Sequence, residues 1–136
     1  MNGSTASFLY VEDDPLSRQV MQMIMRNTLQ DYSLNIFEDS QDFLTRLYGL
    51  DPYPTVILAD VYVQPYNGFD MLRMVREDPT FSMTRVIALT ASVMNEEVEQ
   101  LRSSGFDGAI GKPISVTTFP GLIERILHGE AVWHIA

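Results

Sequence analysis

The chain contains no cysteine, one lysine and no long apolar stretch, and each shortage excludes something. Without thiols there can be no disulfide, thiolate nucleophile or cysteine metal site. The longest apolar runs fall far short of the thickness of a bilayer, so no membrane partner or anchor is expected. The amino-terminal MNGSTAS has neither a basic start nor an apolar core, which predicts no signal peptide and a cytoplasmic protein. Acidic residues outnumber basic ones by 18 to 9, giving a net charge of −9, and no Lys/Arg run interrupts that excess. This disfavours direct contact with nucleic acid or an anionic lipid surface.

What is present reads as one α/β domain spanning 1–136, with a core at about 6–128 and a tail at 129–136. Four continuous apolar runs, SFLYV (7–11), TVILA (55–59), VIAL (86–89) and GAI (108–110), suit strands covered on both faces; LNIF (34–37) reads as an edge strand. Between them lie segments of helical spacing. PLSRQVMQMIMRNTL predicts a buried stripe of Leu16, Val20, Met23 and Ile24. NEEVEQLRSSG ends in a glycine suited to a carboxyl cap, and Pro120 opens a last helix through about His128. Strands alternating with helices predict a five-stranded parallel sheet with helices on both faces. In such sheets, function gathers beyond the carboxyl ends of the strands.

The residues ending the runs are Glu12-Asp13-Asp14, Asp60, Thr90 and Lys112-Pro113. Asp14 before Pro15 reads as a helix cap, and each of the others has an ordinary structural reading taken singly. Jointly they bring three carboxylates, a hydroxyl and the lone ammonium to one sheet edge. Three negative charges in one place require a cation. Mg²⁺ suits them because it takes few carboxylates and leaves positions for water and phosphate oxygens. A carboxylate beside such an ion, a hydroxyl and an ammonium forms an acceptor for a phosphoryl group. Lysine serves here as a flexible point charge, which arginine's rigid fork does not replace.

The motifs VEDDP, ILAD, the NG beyond Asp60, ALTAS and GKP, in that order across about 6–128, resemble the receiver domains of two-component response regulators. That resemblance implies a flavodoxin-like sheet of order 2-1-3-4-5 and a cis peptide between Lys112 and Pro113. It makes Asp60 the phosphoacceptor. Asp13, Asp60, the Tyr62 carbonyl and Glu12, directly or through water, become the Mg²⁺ ligands. Thr90, Lys112 and the backbone amides of Val61 and Ala91 are expected to contact the phosphoryl oxygens. The expected function is a phosphorylation-dependent switch that receives its phosphoryl group from a sensor histidine kinase or phosphotransfer protein and acts on a downstream protein target. It would be a phosphoacceptor regulator, not an enzyme, catalysing only its own phosphorylation and slow dephosphorylation. A homodimer is left open.

Two positions depart from the family pattern. Ala109 stands where the family has a switching aromatic ring, which favours the alternative of an unphosphorylated interaction module. Pro65 lies one residue later than usual, so a local change in that loop is expected. A Mg²⁺-dependent phosphohydrolase is set aside, because Tyr62 stands where it would need an acid. Tyr62 carries two readings: its ring obstructs the hydrolytic water, or it points to solvent. Glu96, Glu97 and Glu99 read as a solvated helix face. His128 reads as a helix-closing imidazole. For Trp133 two destinations are open, folding back onto the domain or a subunit contact.

Overall fold

The computed structural model describes residues 6–92 and 94–135. The first strand, β1 (Ser7–Val11), is buried at every position, as its unbroken apolar run requires. It is followed by α1 (Pro15–Thr28), β2 (Ser33–Phe37), α2 (Phe43–Tyr48) and β3 (Val56–Asp60). Then come α3 (Gly68–Arg76), β4 (Arg85–Thr90), α4 (Asn95–Ser104), β5 (Gly108–Gly111), α5 (Phe119–Leu127) and β6 (Val132–His134). All strand pairs are parallel, in the order β2-β1-β3-β4-β5-β6. This is a flavodoxin-like α/β fold with the expected order over its first five strands.

Side chains alternate across each strand and so divide the core in two. Leu9, Val11, Ile57, Ala59, Val86, Ala88 and Ala109 face α2, α3 and α4. Phe8, Tyr10, Val56, Leu58, Ile87, Leu89 and Ile110 face α1 and α5. Caps fix the helix starts. Asp14 Oδ2 accepts the Ser17 amide at 2.9 Å with Pro15 in the first turn, and Asn67 and Asp70 form a reciprocal capping box on α3. Gly105 closes α4 in the left-handed region, as read from the sequence.

The stripe expected on α1 needs correction. The buried residues are Met21, Ile24 and Met25, an i, i+3, i+4 set, whereas Leu16 is 67% exposed and Met23 is also exposed. Methionines on both sides of this helix and an exposed leucine at its start blur its apolar face, and of the expected stripe Ile24 is buried. Leu16 instead rims a groove of about 240 Å³ with Pro113 and Ile114.

The sheet has six strands, not five. Gly129, at φ 94°, turns the chain after α5, and Val132–His134 pairs with Gly108–Ile110. The tail therefore folds back onto the domain. Trp133 lies in register with Ala109, and the Arg102 guanidinium of α4 stacks 4.4 Å from its ring centroid. Close approach depends on glycine. A Cβ at Gly108 would overlap the Val132 carbonyl oxygen, and one at Gly111 would stand 2.8 Å from that of Ile135.

Gly108→Ala is expected to lose on the order of 1–3 kcal/mol of stability by urea unfolding, because backbone and not a flexible side chain must move. In protein lacking residues 129–136 the same substitution is expected to cost under about 0.5 kcal/mol. Equal losses in the two backgrounds would show that β6 is not the source of the strain.

Candidate functional site

The acids are delivered by the sheet itself. The Glu12 amide donates to the Phe37 carbonyl at 3.0 Å, so the β1–β2 ladder extends one residue past the strand and keeps Glu12 buried. Asp14 is committed to α1, which leaves Glu12 and exposed Asp13 facing the sheet edge. Asp60 is the last residue of β3 and Thr90 the last of β4; both are buried. On the far side, the Lys112 amide donates to the Thr90 carbonyl at 2.8 Å, holding the start of the β5–α5 loop against β4. The Lys112–Pro113 bond is cis, as are Asp51–Pro52 and Gln64–Pro65.

Carboxylate oxygens of Glu12, Asp13 and Asp60 lie within 4.8 Å of one another. Lys112 Nζ stands 2.6 Å from Glu12 Oε1 and 3.5 Å from Asp60 Oδ2. Glu12 is held from several directions. The buried Tyr10 hydroxyl donates to the same Oε1 at 2.9 Å, the Asp14 amide reaches Oε2 at 3.3 Å, and Arg18 Nη1 donates to the Glu12 carbonyl at 3.0 Å. The Tyr62 amide donates to Asp60 Oδ1 at 3.2 Å, and Thr90 Oγ1 accepts the Ser92 amide at 3.1 Å.

Charge in this cluster is unevenly carried. Burial, reinforced by the neighbouring Glu12, pushes the Asp60 carboxyl up to about 6. Burial also acts upward on Glu12, but hydrogen bonds with Asp60, Lys112 and Tyr10 outweigh it and hold that acid below the usual range. Burial works against the Lys112 ammonium, yet Glu12 and Asp60 together raise it and keep it charged. Three acids against one base leave an excess of negative charge on hard oxygen donors. That donor set fits a small divalent cation such as Mg²⁺.

The sequence-derived residues fall as follows. Glu12, Asp13, Asp60 and Lys112 come together in one cluster, and Thr90 ends the strand beside Asp60. Tyr62 follows β3 and is 60% exposed, with its hydroxyl donating to Glu97 Oε2 of α4 at 2.9 Å. The side chain is thus largely exposed, and its hydroxyl bridges the β3–α3 loop to α4. Ala91 is exposed, and Ala109 is buried in the middle of β5. Val61 lies at the end of the β3–β4 pairing. Its amide donates to the Leu89 carbonyl at 3.1 Å, continuing the β3–β4 ladder, and the amide directed at Asp60 is that of Tyr62. The Pro65 loop is pinned by Ser40, whose hydroxyl donates to the Tyr66 carbonyl at 2.6 Å and accepts the Tyr66 amide at 2.7 Å. Sequence reasoning missed Tyr10. The available signal was its place two residues before Glu12, on the same face of an extended chain. Among the described residues, no helix is long and apolar enough to cross a membrane.

A family model described as the response regulator receiver domain matches residues 8–124. The polar-differentiation response regulator DivK of Brucella ovis is 26% identical over 127 residues, covering 93% of this chain and 99% of that protein. The chemotaxis protein CheY-3 of Vibrio cholerae is 26% identical over 107 residues, 78% of this chain and 82% of that one. Among solved structures, the chemotaxis response regulator CheY4 of Vibrio cholerae superposes with a TM-score of 0.79 at 22% identity, covering 90% of this chain and 99% of that one. The receiver domain of sensor histidine kinase PA1611 of Pseudomonas aeruginosa, described with a magnesium ion coordinated in its active site cleft, gives 0.77 at 20% identity over 93% and 100%.

A raised Asp60 has a consequence for stability. Ionising it costs more in the folded than in the unfolded chain, so the penalty is absent below about pH 4 and complete above its folded value of about 6. In protein free of divalent ions, Asp60→Asn is expected to exceed the native chain in stability by on the order of 1–3 kcal/mol at pH 8, with the gap closing toward pH 4. Urea unfolding at the two pH values checks this. A gap that widens on acidification would contradict it.

Proposed function

Since this chain belongs to the response regulator receiver domains of two-component signalling, we propose that Asp60 accepts a phosphoryl group from the phosphohistidine of a kinase or phosphotransfer protein. The observation that carries this reading is the single lysine of the chain, whose Nζ stands 2.6 Å from Glu12 and 3.5 Å from Asp60 as the one base set against three clustered acids. In the transfer, an Asp60 carboxylate oxygen forms a bond to phosphorus as the phosphorus–nitrogen bond of the donor breaks. The electron pair of that bond returns to the imidazole, which then takes up a proton.

Asp13, Asp60, the Tyr62 carbonyl and Glu12 would hold Mg²⁺, Glu12 either directly or through water. Bound there, the ion supplies the positive charge that lets phosphate oxygens approach three carboxylates. The chain's own contribution is positioning and neutralisation. Lys112 is long enough to leave Glu12 for a phosphoryl oxygen, and the Thr90 hydroxyl, accepting from Ser92, keeps its own proton to donate. The Tyr62 amide, already directed at Asp60, would serve the same oxygens, with the Ala91 amide on the other side. The acquired charge then changes a surface that a downstream protein reads.

Incubation with acetyl phosphate and Mg²⁺ tests the reading. A mass gain of one phosphoryl group is expected on the native chain and none on Asp60→Asn. Labelling that survives Asp60→Asn would move the acceptor to another residue and end the reading; none on either protein, with or without Mg²⁺, would end it and leave the unphosphorylated interaction module. Tyr62, tied to Glu97 beside the proposed phosphoacceptor, is expected to restrict water. The aspartyl phosphate of Tyr62→Asn should decay severalfold faster than that of the native protein; an equal or slower decay would remove Tyr62 from this role.

A further inference from the structure

Tyr10 is a tyrosine where a hydrocarbon would fill the space. It has no exposure, it sits in the middle of β1, and its neighbours Phe8, Met21, Ile24 and Leu58 are apolar. A hydroxyl buried among such groups is unfavourable unless it finds a partner. Its partner is Glu12 Oε1 at 2.9 Å. The pairing follows from the strand, since residues 10 and 12 share one face of the extended chain.

The same oxygen is also bonded by Lys112 Nζ at 2.6 Å. These two donors differ mechanically. Lys112 ends a flexible four-carbon stem, is partly exposed, and reaches Asp60 as well as Glu12. The Tyr10 hydroxyl is fixed by a buried ring on a central strand. The third donor, the Asp14 amide, stands 3.3 Å from Oε2 and is the longest of the three bonds. If Lys112 alone oriented Glu12, the carboxylate would lose its main partner whenever the ammonium turned to another anion.

We infer that Tyr10 is a positioning residue, a fixed anchor that keeps Glu12 turned to the cation site when Lys112 leaves it for a phosphoryl oxygen. This rests on the proposed function for its purpose, but the anchoring itself concerns only the affinity for Mg²⁺. Partners that orient metal-binding carboxylates from behind commonly change affinity by tenfold or more.

The test is calorimetric titration with Mg²⁺ alone, on the native chain, Tyr10→Phe, Lys112→Ala and the double variant. Tyr10→Phe keeps the ring and opens no cavity, and thermal unfolding without Mg²⁺ checks that the fold is intact. With Lys112 present, the loss of the hydroxyl is expected to be largely masked. With Lys112→Ala as the parent, Tyr10→Phe is expected to raise the Mg²⁺ dissociation constant about tenfold. A rise of less than about threefold in that background overturns the inference, as does a larger effect with Lys112 present than without it. In the Lys112→Ala background, a lowered melting temperature with unchanged Mg²⁺ affinity overturns it too, and identifies the hydroxyl as a packing feature. Failure here is separable from failure of the proposed function. In the former, native protein binds Mg²⁺ and labels at Asp60 while Tyr10→Phe has no effect in the Lys112→Ala background; in the latter, Asp60 is not labelled although the four affinities obey the stated pattern.

Discussion

The ion pair between Lys112 and Glu12, with Asp60 just beyond it, is the interaction on which the arrangement of the site depends. It joins residues a hundred positions apart in sequence. Three parallel strands must end at the same level for it to form, and β1, β3 and β5 do so only because their apolar runs are buried on both faces. The pair is partly buried, with the Lys112 side chain 18% exposed, so its strength is not dissipated in bulk water. One base nevertheless cannot balance three acids. Burial, with the neighbouring Glu12, lifts Asp60 toward neutrality, and the remaining excess of negative charge gives the cluster a donor set that fits an added cation. In the proposed function, the same imbalance that weakens the fold locally would prepare the site for phosphate chemistry.

Much of this was legible from the order of residues. β1, β3, β4 and β5 announce themselves as unbroken apolar runs, and the polar residue closing each run becomes a member of the site. The Asp14–Pro15 cap and the later start of α3 at its capping box also follow from local chemistry. What escaped had weak or misleading local signals. On α1, methionines occur on both the buried and exposed sides, so periodicity selected Ile24 but not Met21 or Met25. β6 has only three residues and is bordered by polar and small ones. The destination of the Val61 amide depends on how far the β3–β4 ladder extends past the strand end, which side-chain identity does not encode. Tyr10 escaped because attention fell on the ends of the apolar runs and not on a hydroxyl inside one.

The surroundings of Ala109 have a physical account as well. Ala109 is a small buried residue in the middle of β5, and the adjacent strand places a ring in register with it. Trp133 is in register with Ala109, half-buried, and held by Arg102. Tyr62 meets α4 from the opposite direction through Glu97. The fourth helix is thus touched both by the loop that follows Asp60 and by the carboxyl-terminal strand. Its acidic first turn is partly occupied and not merely solvated.

The sixth strand also sets where this molecule can be divided. The family model's match ends at residue 124, inside α5, while the backbone that completes the hydrogen-bonding ladder of β5 lies beyond it. An excised or fused version trimmed to that border would truncate a helix and uncover a strand whose flanking glycines carry no side chain to obstruct a newcomer. Open ladders of this kind recruit strands from other molecules. For this chain, the border of the family match and the last strand of the sheet are different places.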